Sequence, residues 1–267
     1  MVNNSWGMFH PSWDLPPGDP GNYSDNPNHP FNLAVRDLER TGADILFAAG
    51  NCGANCPDPR CGGVTNRTIY GANDHPSVLC VAGVDTTETR VGYSSIGPGR
   101  LTANKPDISG YTHFRGSGIY QADGGTSAAT PVVAGVLAAA RSKRPYDPGN
   151  PATHPAAIRS LVVSTAKDLV PPGYDLQHGF GVVNGCELHR RLAPRPPTLD
   201  ILERLGKAEE YPVSAETYGP AFGETTVASG QTPDPAEIAY SIGYRDGLRA
   251  QSSKTEHGTG GCSCVGE

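Results

Sequence analysis

Apolar residues recur at helical spacing at Phe31, Ala34, Val35 and Leu38, with Pro30 suited to a first helical position and Gly42 to a stop; this predicts a helix over about 30–41. Beyond it the period changes. Residues 44–50, Asp-Ile-Leu-Phe-Ala-Ala-Gly, form a short continuous apolar run ending at glycine, the pattern of a strand buried on both faces of a parallel sheet, and residues 78–84 repeat it. Val132, Val133, Val136, Leu137 and Ala140 then make a broad apolar surface over 127–143, which predicts a buried helix with Pro131 in its first turns. A further helix at about 155–166 starts at Pro155 and presents Ile158, Leu161, Val162 and Thr165. Residues 179–184 read as a turn into a short strand. Strands alternating with helices imply an α/β fold with a mainly parallel sheet flanked by helices.

Two stretches lack either period. Residues 8–30, rich in Pro, Gly, Asn and Asp, read as an excursion loop, in keeping with 34 Gly and 25 Pro in 267 residues. From Ala193 onward the composition shifts to Pro, Glu, Ser, Thr and Gly, so the reading divides the chain into a domain at 1–192 and a weakly ordered tail at 193–267. The tail holds one helical signal, over about 235–249, opened by Asp234-Pro235-Ala236-Glu237. No apolar run approaches the ~18 residues of a membrane span, so no membrane partner is expected. A net charge of −6 without a basic block argues against nucleic acid. The opening Met1-Val2-Asn3-Asn4-Ser5-Trp6-Gly7 has neither the charge nor the apolar core of a secretory signal and reads as a strand met in mid-domain, leaving the compartment open.

Seven cysteines cannot all pair within the chain. Cys52, Cys56 and Cys61 cluster in one loop that could hold a small disulfide such as Cys56 to Cys61, whereas Cys80 reads as a buried thiol. Their uneven spacing, with no histidine at zinc-module distance, gives no metal site.

The chemistry concentrates at Gly124-Gly125-Thr126-Ser127-Ala128-Ala129-Thr130-Pro131, followed by Val132-Val133-Ala134-Gly135. A serine opening a buried helix has its hydroxyl at the positive end of the helix dipole, beside backbone N–H groups that stabilise developing negative charge. A serine before a helix is ordinarily only a cap. Here the flanking string resembles the nucleophile motif of the subtilisin-like serine proteases, the subtilase family, which implies that Ser127 is a nucleophile. Ala48-Ala49-Gly50-Asn51 is similar to the family segment that ends in the oxyanion-hole asparagine, so Asn51 is the implied donor. Asn3-Asn4-Ser5-Trp6-Gly7 resembles the strand that lines the substrate cleft. By that resemblance Ser5, Trp6, Gly7, Ala48, Ala49 and Gly50 contact substrate. His75-Pro76-Ser77-Val78, Tyr93-Ser94-Ser95-Ile96-Gly97 and residues 179–184 continue the match in order. The sedolisins share the Gly-Thr-Ser motif but carry an aspartate where this chain has Asn51.

The resemblance implies a serine endopeptidase working through an acyl-enzyme, with calcium as the cofactor common in the family and a peptide or protein as substrate. It also implies a histidine and an aspartate in an Asp-Thr/Ser-Gly and a His-Gly-Thr-His segment, and neither segment occurs here. Three expectations stand side by side: the carboxy-terminal part of a longer catalytic domain, a chain completed by an amino-terminal protease half that supplies His and Asp, or a catalytically inactive peptide-binding or scaffold protein.

Overall fold

The computed structural model describes residues 1–192; the tail and its predicted helix at 235–249 lie outside the described residues. Four parallel strands, β1 (Val2–Asn4), β2 (Ile45–Ala48), β3 (Leu79–Val84) and β4 (Ile108–Tyr111), pair in the order β1-β2-β3-β4. The register sets Val2 against Ile45, Leu46 against Leu79 and Val81 against Ile108. Both predicted apolar runs form strands buried at every position.

The side-chain period of two divides β2 between two cores. Leu46 faces a cluster made with Leu79, Val81 and Ile108, which is covered by α2 (Thr126–Lys143), α3 (Pro155–Ser164) and α4 (Gly185–Leu192). Ile45 and Phe47 face the other way, onto Val35 of α1 (Pro30–Arg40) and Val78. Helices on both faces leave the carboxyl ends of the strands as the open edge, where ligands of such sheets bind.

Each predicted helix among residues 1–192 forms with boundaries within two residues of expectation. Residues 179–184 depart from theirs: Val182 makes only isolated bridges to Ser109 and Lys167 and extends no strand. Two elements escape the sequence pattern. β4 reads Ile-Ser-Gly-Tyr, a poor strand sequence whose glycine is demanded by packing, because a Cβ at Gly110 would stand 2.6 Å from the carbonyl oxygen of Ala129 on α2. α4 spans only eight residues and holds two buried apolar positions, Leu188 and Leu192, one turn apart.

The loop after β2 corrects one expectation. Cys61 pairs with Cys52 rather than with Cys56, because Asp58 caps a single 3-10 turn at Pro59–Cys61 and its N–H returns to the Asn51 carbonyl, folding Cys61 back onto the strand end. Cys56 is itself disulfide-bonded, while Cys80 is the expected buried thiol. Closing a loop with a sequence separation of 9 restricts the unfolded chain by about 3 kcal/mol. Cys61→Ser is accordingly expected to lower unfolding stability by about that amount in urea titrations, with wild-type and variant converging once a reductant is added.

Candidate active site

Gly125 stands immediately before α2 at φ +81°, a left-handed conformation that a side chain would strain, and it turns the chain so that Thr126 and Ser127 open the helix at the sheet's carboxyl edge. Tyr93 fixes this turn by accepting the Gly125 N–H at 2.7 Å, and Thr112 donates to the Gly125 carbonyl at 2.9 Å. Pro131 has a second consequence. As the sixth residue of α2 it lacks the N–H that would bond the carbonyl four residues earlier, which is that of Ser127. The freed carbonyl accepts the Ser5 hydroxyl at 2.9 Å, while Ser127 Oγ donates to the Ser5 carbonyl at 3.0 Å. This reciprocal pair joins the strand segment after β1 to the start of α2.

Asn51 reaches the same point from the end of β2. Its Oδ1 accepts from the Thr126 N–H at 3.0 Å and from Thr126 Oγ1 at 2.9 Å, and Thr126 Oγ1 in turn accepts the Gly50 N–H at 3.2 Å. With the acceptor end anchored, the Nδ2 end is the free donor of the carboxamide. The first-turn geometry of α2 likewise leaves the Ser127 N–H without an intrahelical acceptor.

The predicted site residues come together around one cavity of about 210 Å³. Residues 5–7 form one wall, residues 48–51 the other, and Ser127 stands at its mouth. Trp6 is held by edge and tilted contacts with Phe47 and Phe31, at ring separations of 5.3 and 5.7 Å. Asn73 clamps the two walls together, its Nδ2 donating to the carbonyls of Trp6 and Ala48, each at 2.8 Å. Ser127 also borders a second, open hollow lined by Phe114, Tyr120 and Val132.

Sequence reasoning singled out neither Asn73, Thr126 nor Tyr93 for a role. Thr126 and Tyr93 lie inside quoted motifs; Asn73 acts through contacts across 67 and 25 residues, which no local spacing reveals.

Among the described residues no histidine hydrogen-bonds Ser127. His178 pairs with Asp175 at 3.1 Å, but the neighbour of its backbone carbonyl is Ser109. His113 packs on Tyr93 beside the Gly124-Gly125 turn, and burial pushes its pKa down, favouring the neutral ring. No group of three or more His, Cys, Asp or Glu side chains stands together among the described residues. No helix among them is long and apolar enough to cross a membrane.

Asp74, next to Asn73, is fully buried, and desolvation raises its pKa to about 6 despite hydrogen bonds from Thr102 Oγ1 and the Leu101 and Thr102 amides. The folded protein therefore holds this proton more tightly than the unfolded chain, and the associated stability is fully present below about pH 4 and lost as pH rises through about 6. The loss amounts to about 3 kcal/mol. Urea stability measured across that window should fall from this group, and a carbon-detected titration of the Asp74 carboxyl should show its midpoint near the upper end.

A helix-opening serine opposed by an anchored carboxamide, at the carboxyl edge of a parallel sheet and beside an extended cleft segment, defines a class: α/β proteins arranged for serine-based acyl transfer. The Peptidase S8 subtilase family matches residues 1–181, and the chain belongs to that family, one of serine endopeptidases. It is 32% identical over 151 residues to subtilisin DY of Bacillus licheniformis, covering 57% of this chain and 48% of that protein. It is 33% identical over 144 residues to subtilisin NAT of Bacillus subtilis subsp. natto, covering 54% of this chain and 33% of that protein. Among solved structures it is similar to the prenylagaramide maturation protease PagA, at a TM-score of 0.45 and 20% identity, over 61% of this chain and 55% of that one. The chain spans about half or less of the length of the curated relatives it matches.

Proposed function

We propose that this chain supplies the nucleophile, oxyanion site and substrate cleft of a subtilisin-like serine endopeptidase, and that a general base and its orienting aspartate come from outside the described residues. The observation that carries the reading is the convergence of Ser127, Asn51 and both predicted cleft segments on one cavity. In the reaction, Ser127 Oγ leaves the Ser5 carbonyl and attacks the carbonyl carbon of a bound peptide, its proton passing to the base. The carbonyl oxygen gains charge between Asn51 Nδ2 and the Ser127 N–H, both fixed before reaction. The base returns the proton to the departing amine, and water later releases the acyl group from Ser127 by the reverse sequence. Residues 5–7 and 48–50 hold the peptide extended between them. Calcium enters no step.

That no histidine among the described residues hydrogen-bonds Ser127 favours, as a second reading, a peptide-binding protein that keeps the cleft without the chemistry. A fluorophosphonate serine-hydrolase probe separates the two when applied to the chain alone, to the chain mixed with any protein encoded immediately upstream, and to a Ser127→Ala control. Labelling that depends on Ser127 and appears on mixing is the expected result. Labelling of the chain alone would show that one of its own histidines serves as base. No labelling of folded protein in either sample, with peptide binding retained, would leave the binding reading.

A further inference from the structure

The cavity between the two cleft walls carries charge of one sign. Its lining includes one ionised side chain, Arg60, and no carboxylate, while Trp6, Met8 and Phe9 supply apolar surface beside it. Two contacts hold the guanidinium in place. It lies over the Phe9 ring, 3.7 Å from the centroid, which fixes its plane, and Phe9 is itself braced by Trp13 at a ring separation of 6.1 Å. Within that plane Nε and Nη2 donate to the two oxygens of Asp58, at 2.9 and 2.8 Å. The pairing does not use up the cation. Of the five N–H donors of a guanidinium Asp58 takes two, and the others have no acceptor among the described residues. Asp58 does not line the cavity, so the pair presents its positive member there.

That charge decides what fits. A lysine or arginine side chain would meet a like charge with no carboxylate in the lining to offset it. An apolar side chain could pack on Trp6 and Phe9 but would leave the unshared donors of Arg60 to water. A carboxylate can accept from those donors in charge-assisted bonds while its methylene stem lies on the same aromatic surface. The Arg60 side chain is 58% exposed, so a substrate group can reach it. The same exposure lets water and salt compete, which limits the selectivity to the range of an exposed ion pair.

We infer that the cavity selects an acidic side chain, glutamate or aspartate, on the substrate, with Arg60 as its specificity-determining residue. The inference rests on the cleft assignment proposed above and names the substrate class for it. Because the stack on Phe9 and the bonds to Asp58 already immobilise the guanidinium, little side-chain freedom is lost when a carboxylate binds.

The test is calorimetric binding of capped peptides to the full-length Ser127→Ala chain, which cannot turn them over. The peptides differ only at the residue occupying the cavity: Glu, its neutral isostere Gln, or Lys. The Glu peptide should bind about two- to fivefold more tightly than the Gln peptide, with Lys weaker than either. Raising the ionic strength from about 0.1 to 1 M should narrow the gap between Glu and Gln. In the Ser127→Ala background, Arg60→Gln should abolish the preference for Glu while leaving Gln affinity unchanged, which shows the cavity intact, and Arg60→Glu should make Lys the tightest of the three. A preference for Glu that survives Arg60→Gln places recognition elsewhere and overturns the assignment. Binding of Gln or Lys as tight as that of Glu overturns it too, while leaving the cleft reading standing. No binding by any peptide to folded protein removes the cleft reading and the selectivity together.

Discussion

Replacing Arg141 with alanine is expected to cost about 3–5 kcal/mol of unfolding stability at neutral pH, the range for breaking a buried ion pair from one side. Arg141 binds both oxygens of Asp44, with Nη2 to Oδ1 at 2.6 Å, and donates a third bond to the Thr153 carbonyl at 2.6 Å. Asp44 is 6% exposed, so the variant strands its charge where water cannot replace the guanidinium. Arg141→Lys should recover only part of it, because a single ammonium cannot reproduce the two-pronged contact. The double change Arg141→Met with Asp44→Leu, which removes both charges, should lie closer to wild type than Arg141→Ala does. Urea titrations of the four proteins at pH 7 decide the matter.

The placement of that pair explains why it matters to the site. Asp44 precedes β2 and Asn51 follows it; Ser127 opens α2 and Arg141 lies in its last turn. Seven residues of extended chain cover about 23 Å and fourteen of helix about 21 Å. The strand and helix are thus matched in length and tied at both ends, by Asp44 to Arg141 at one and by Asn51 to Thr126 at the other. Strain introduced at the distal tie would reach the geometry between Asn51 and Ser127 through two stiff elements.

Part of this was legible in the chain. The runs at 44–50 and 78–84 announce buried parallel strands because each is apolar at nearly every position, and α1 and α2 carry their own periodicity. The resemblance placed Ser5, Asn51 and Ser127 together, and they do converge. What local pattern could not carry is what depends on distant contact. β4 is a strand because α2 lies across Gly110, not because its residues favour one. The partner of Cys61 was set by the turn that Asp58 caps, and cysteine spacing left that pairing undetermined. Asn73 looks like an ordinary loop asparagine until the carbonyls of Trp6 and Ala48 are brought to it from two other segments. Pro131 was read as tolerated in the helix, whereas its missing N–H is what leaves the Ser127 carbonyl available to Ser5.

Asn51→Ala should slow reaction at Ser127 by on the order of 10²–10³, measured as the rate constant for fluorophosphonate labelling in the assembly that labels; the figure is that of one oxyanion-hole donor and was established in subtilisin itself. The substitution removes the Nδ2 donor and also releases Thr126, whose N–H and hydroxyl both give to Asn51 Oδ1. Two further variants separate these effects. Asn51→Asp keeps an acceptor for Thr126 but has no donor, so it should be about as slow as Asn51→Ala while unfolding closer to wild type. Thr126→Val keeps the donor but leaves Oδ1 with only the backbone amide, loosening its aim, and should cost about tenfold or less. With a peptide substrate the loss in Asn51→Ala should fall on kcat and leave KM nearly unchanged, because the donor meets an oxygen that carries its charge only in the transition state. A loss confined to KM would make Asn51 a ground-state contact of the cleft wall and would return the oxyanion to the amides at the start of α2 alone.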